Sequence, residues 1–96
     1  MGTKNNQEKP KWFKGAWYYN GDTVANPFTG EKARLTGPEL SMYDFIKGAE
    51  YTVNVAYQRE GDFVEDPAIT KLVDEMRKGI DWFREANPKA YMTLLD

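Results

Sequence analysis

The chain has 96 residues, 13 Lys/Arg against 15 Asp/Glu, no cysteine and no histidine. A chain of this length makes one small domain that hides about 60–65% of its unfolded surface, so it folds with little margin. The composition excludes disulfides, thiolate metal sites and any Ser-His or Cys-His nucleophile, and Ser41 is the only serine. The N-terminus is polar and lysine-rich with no apolar stretch behind it, which is not the pattern of a signal peptide, and no run approaches a membrane span. Charge divides along the chain. Residues 1–35 carry six Lys/Arg and three Asp/Glu, a net of +3, whereas residues 36–96 carry seven and twelve, a net of −5.

Residues 1–11 bury nothing by composition and read as a mobile polar tail, leaving 12–96 as a single globular domain. Six of the fourteen aromatic residues then fall between Trp12 and Phe28. In Lys11 to Tyr19 the rings occupy both parities, Trp12 and Tyr18 on one and Phe13, Trp17 and Tyr19 on the other, which suggests an extended segment covered on both sides. Asn20-Gly21-Asp22 is a turn signal. Thr23 to Ala25 reads as a short strand and Glu31 to Leu35 as its return. Between them Asn26-Pro27-Phe28-Thr29-Gly30 reads as a turn, with Phe28 folding back as an anchor. The N-terminal third is thus an antiparallel hairpin or three-stranded meander, a unit that needs helices beneath it.

Thr36-Gly37-Pro38-Glu39 has the form of a capping box with proline in the first turn. Met42, Phe45, Ile46, Ala49, Val53 and Ala56 follow helical spacing, so a helix is expected over about 37–58. Tyr51 to Tyr57 also alternates like a strand, but the unbroken stripe favours helix. Glu60 to Glu65 reads as a loop pinned by Phe63 and Val64. Asp66-Pro67 opens a second helix as N-cap and N1, with Ile69, Leu72, Val73, Met76, Ile80 and Phe83 as its apolar stripe, and it should run to about Ala86. Asn87 caps a short third helix from Pro88 to Leu95. The expected fold class is α+β: an N-terminal hairpin or meander packed on an antiparallel helical hairpin, closed by a short C-terminal helix.

No residue pattern specifies a catalytic, cofactor or metal site. The acids Asp44, Glu50, Asp74, Glu75 and Asp81 mostly face solvent on their helices, and Glu60, Asp62, Glu65 and Asp66 form a solvated loop without EF-hand spacing. The expected role is therefore a non-catalytic protein-binding or structural one, with no enzymatic activity. Trp82 falls on the charged side of its helix beside Lys71, Glu75 and Lys78, where it is either an interface anchor or covered by the third helix or N-terminal segment. Tyr51 and Val55 lie one turn apart beside Gly48, opposite the buried stripe, as a self-association face or, preferred, the place where the hairpin packs. Trp82, Tyr51, Val55, Trp17 and Trp12 are the partner-binding candidates. The alternative is a single-stranded nucleic-acid platform of Lys11, Trp12, Lys14, Trp17 and Tyr18, rings for stacking and lysines for phosphate. Against it stand the net negative charge and the need of a small domain for large core rings.

Asn26 to Glu31, Leu40 to Ala49, Lys78 to Arg84 and the ending Asn87 to Asp96 resemble small uncharacterised proteins of tailed bacteriophages, marine ones in particular, over most of residues 17–96. The resemblance implies a context and no activity: a phage-encoded protein made in the cytoplasm of a bacterial host, with the virion as a second destination.

Overall fold

The computed structural model describes residues 7–61 and 65–96, so the expected pinning of the helical loop by Phe63 and Val64 falls outside the described residues, as do Asp62 and the first part of the polar tail. Five elements follow in order: β1 (Asp22–Ala25), β2 (Lys32–Leu35), α1 (Gly37–Glu60), α2 (Pro67–Ala86) and α3 (Pro88–Leu94). The fold is α+β, a two-stranded antiparallel hairpin on three helices. Asp22 pairs with Leu35 and Ala25 with Lys32, so Val24 and Ala33 share the half-buried face while Thr23, Arg34 and Lys32 face out.

Local chemistry sets the boundaries. The Glu39 amide donates to the Thr36 hydroxyl (3.2 Å) and the Thr36 amide to the Glu39 carboxylate (3.0 Å), which completes the capping box of α1. Asp66 accepts from the Ala68 amide and Asn87 from the Ala90 amide, capping α2 and α3. The segment 51–57 is helical, since the apolar stripe of α1 outweighs its local alternation.

α1 and α2 run antiparallel. Gly79 faces Met42, Phe45 and Ile46 near one end, while Val55 and Ile69 line one hollow near the other. The core occupies the first end. There Phe13, Leu35, Met42, Tyr43, Ile46, Phe83, Ala90 and Leu94 form one buried cluster drawn from the N-terminal segment, β2 and all three helices. At the far end Val53 and Ala56 are buried, but Val55, Ile69, Leu72 and Val73 are only half-buried. The thinnest dimension, 20 Å, explains this. It is the thickness of about two helices, so among the described residues α1 and α2 have only each other beyond the core.

Residues 11–19 form an irregular lid rather than a strand. The Phe13 amide donates to the Pro10 carbonyl (3.1 Å), a turn that a chain with rings on both parities adopts more easily than a pleat. Of the two expected arrangements the hairpin is the one formed. Phe28 does not fold back. Its ring is 93% exposed, because the Asn26 side chain accepts from the Phe28 and Thr29 amides and closes the turn without an anchor. Gly30, at φ 79°, completes that turn.

Candidate docking surface

The lid fixes most of the sequence-level candidates in place. Its backbone lies directly on the start of α1: the Tyr18 amide donates to the Ser41 hydroxyl (2.6 Å), which itself donates to the Gly37 carbonyl (2.7 Å). A Cβ on Gly37 would sit 2.5 Å from the Tyr18 carbonyl oxygen, so glycine is required for this approach. Phe13 is buried, and Trp12 packs against both Phe13 and Phe45 with centroids 5.9 and 5.8 Å away. Trp17 stands edge-on to Phe13 and to Trp82, at 5.1 and 5.8 Å.

Trp82 is therefore half-buried under the N-terminal segment, the covered one of the two placements its helical position allowed. Trp12 and Trp17 are likewise half-buried, with their rings engaged by each other's neighbours. The nucleic-acid platform expected from Lys11, Trp12, Lys14, Trp17 and Tyr18 is not assembled as a row of open rings: Trp12 and Trp17 lean inward, and the Tyr18 hydroxyl donates to Asp44 (2.9 Å). Lys11 and Lys14 are exposed beside them.

Tyr51 and Val55 behave differently. The hairpin was expected to pack on their face, with Gly48 admitting it. A Cβ on Gly48 meets nothing within 4 Å, and Tyr51 is 72% exposed. The hairpin instead meets α3 and the start of α1, because the Asn26 amide side chain donates to the Thr93 carbonyl (2.9 Å) and Leu35 enters the core cluster. Tyr51 and Val55 thus line an open hollow of about 280 Å³ between α1 and α2, floored by Ala56 and Ile69 and rimmed by Arg59, Glu60 and Asp66. Tyr57, 47% exposed, lies over Val73 and Arg77 on the opposite side of the helical pair. Neither Tyr57 nor Ile69 reads as a surface residue from the sequence, since both sit at the margin of an apolar stripe that looks buried until α1 and α2 are seen to have no third layer here among the described residues.

The carboxylates are dispersed. Glu50 pairs with Lys47, Asp74 with Lys78 and Asp81 with Arg84, each within one turn of its own helix, and Asp44 holds Tyr18. The one buried acid among the described residues, Glu39, is structural: besides the cap it accepts from Gln7 (2.8 Å) and Asn87 (3.1 Å). Among the described residues no group of acidic side chains is placed to hold a metal ion, and no helix is long and apolar enough to cross a membrane.

No family model matches the chain, and no curated protein or solved structure matches it either.

Proposed function

We propose that the protein is a non-catalytic binding or structural module that docks through the outer end of its helical hairpin onto an amphipathic helix of another protein. The observation that carries this is Tyr51, a large ring left 72% exposed over a hollow between two helices that, among the described residues, no third layer covers. A groove between two helices takes the ridge of a third, and such helix-in-groove contacts rest on a few apolar anchors. Tyr51, Val55 and Ile69 supply the anchors. Arg59, Glu60 and Asp66 set a rim of both signs, which favours a partner helix carrying charges of both signs beside its apolar face. Trp82, Trp17 and Trp12 serve this reading indirectly, as the packing that holds the lid.

The scattered, locally paired carboxylates support a non-enzymatic role. The resemblance to phage proteins supplies a setting, in which the module acts either as an accessory part of the particle or as an inhibitor of a host factor in the bacterial cytoplasm. The test is quantitative recovery of partner with the wild-type chain and with Tyr51→Ala, coupled to light scattering of the purified protein. Loss of a defined partner with an unchanged melting temperature supports the reading. Recovery unaffected by Tyr51→Ala and by Val55→Asp removes it. A mass of two chains would identify the bound helix as that of a second copy.

A further inference from the structure

A second surface lies at the other end of the molecule and has the opposite character. Lys32 and Arg34 alternate outward on β2, and Lys89 of α3 faces them across a hollow of about 210 Å³. Among the described residues no carboxylate lines this hollow. The ion pairs among the described residues involve Lys47, Lys78 and Arg84, and none involves Lys32, Arg34 or Lys89. The neutral polar groups of the wall are already engaged: Asn87 bonds Glu39 and the Ala90 amide, and the Thr93 hydroxyl donates to the Lys89 carbonyl. Three cations thus line one hollow, none of them in an ion pair among the described residues, while residues 36–96 carry a net charge of −5. An anion is attracted to this end and repelled from much of the rest of the surface.

The hairpin tip adds a different feature. Phe28 is 93% exposed, held by a turn whose Asn26 is tied to Thr93 on the wall of the same hollow. Lys32 and Arg34, two residues apart on a strand, are separated by roughly 6.6 Å along the backbone, and Phe28 stands four residues before Lys32 in the turn that leads into the same strand. A small phosphate would use the cations and ignore the ring. A ligand that uses both has repeated anions and flat apolar faces.

We propose that this hairpin end binds single-stranded nucleic acid, with backbone phosphates at Arg34, Lys32 and Lys89 and an unpaired base stacked on Phe28. The site is distinct from the Tyr51 face and does not depend on it. It also differs from the lid residues Lys11 and Lys14, whose neighbouring rings are packed inward.

The experiment is fluorescence anisotropy of a labelled oligothymidylate with the full chain, titrated at a series of salt concentrations. Three phosphate contacts on a single strand give a slope of log affinity against log salt of about −2. Lys32→Ala, Arg34→Ala and Lys89→Ala should each reduce that slope by about 0.7. Phe28→Ala should leave the slope alone and weaken binding at least about fivefold, the lower end for a base stacked on a ring. All four side chains are exposed, and a melting curve checks that each variant folds. No binding at low salt overturns the proposal. So does an affinity that Phe28→Ala leaves unchanged, or one that a sulfated polysaccharide competes for equally, since either reduces the surface to a patch of charge. A slope lowered by Lys11→Ala and Lys14→Ala but by none of the three hollow variants would also overturn it, by placing the phosphates on the lid.

Discussion

The indole of Trp17 stands edge-on to that of Trp82, with centroids 5.8 Å apart and planes at 75°. This contact joins the irregular N-terminal lid to the last third of α2, elements with no backbone ladder between them. Edge-to-face aromatic pairs add about 0.5–1.5 kcal/mol beyond the area they bury. Trp82→Ala should therefore destabilise the fold by roughly 1.5–3 kcal/mol, less than for a fully buried ring because Trp82 is half-exposed. In a domain of this size that is a fall in Tm of the order of 6 °C or more. A double-mutant cycle with Trp17→Ala should show coupling. A Tm within a degree or two of wild type would make Trp82 an interface candidate again.

Glu39 is 3% exposed yet receives the Thr36 amide, Gln7 and Asn87. A carboxylate taken out of water needs such donors, and here they come from the N-terminal segment, the α1 cap and the α3 cap. Glu39→Gln is nearly isosteric but replaces one acceptor oxygen with a donor facing other donors. The expected loss is about 1–3 kcal/mol in urea unfolding with an unchanged m-value. Asn87→Ala should cost less in the Glu39→Gln background than in wild type, because the two share one bond.

Two helical glycines should respond in opposite ways. Gly48 has open space around the position of a Cβ, so Gly48→Ala gains helix propensity and should stabilise by about 0.5–1 kcal/mol. At Gly79 a Cβ would lie 3.0 Å from the Met42 sulfur and 3.3 Å from Ile46, both buried in the core. Gly79→Ala should forfeit that gain and destabilise, since a close-packed interface resists an added methyl. Thermal melts of the two variants side by side decide it. Stabilisation by both would mean that α1 and α2 separate easily at this crossing.

Much of this architecture could be read from local chemistry. The caps at Thr36, Asp66 and Asn87, the proline after each, and the 3.6-residue stripes set the helices to within one or two residues. Those signals work because they act within one turn of the chain. What failed depended on which layer covers which. Phe28 looked like an anchor because a ring in a turn often is, but the turn is closed by Asn26 instead. Gly48 looked like a point of close approach, and the hairpin packs on α3 and β2 leads into α1 well short of it. The exposure of Tyr51 and the half-burial of Ile69 follow from a third layer that, among the described residues, spans only half the length of α1 and α2, a global property with no local mark. The cationic hollow was half legible, as Lys32 and Arg34 two apart on a strand; Lys89 joins them only through the docking of α3.

Tyr18 offers a reporter of how the lid is attached. Its hydroxyl donates to the Asp44 carboxylate at 2.9 Å, and this hydrogen bond, with the negative charge behind it, raises the phenol above the ordinary tyrosine value of 10.0. The folded state therefore holds the proton more tightly than the unfolded chain does. The sign follows: the contribution to stability is fully present below pH 10 and is lost as the pH rises through the raised value. Because the pair is exposed, solvent screens it and the effect on global unfolding is small. The sensitive measurement is ultraviolet titration of tyrosinate, in which one phenol should ionise later than the rest. Asp44→Asn removes the charge but keeps an acceptor, so it should bring that phenol most of the way back. Tyr18→Phe should delete the late step entirely and leave the Tyr18 amide bond to Ser41 in place. If the late step survives in Tyr18→Phe, the delayed phenol belongs to another tyrosine and the lid is not held to α1 through Asp44.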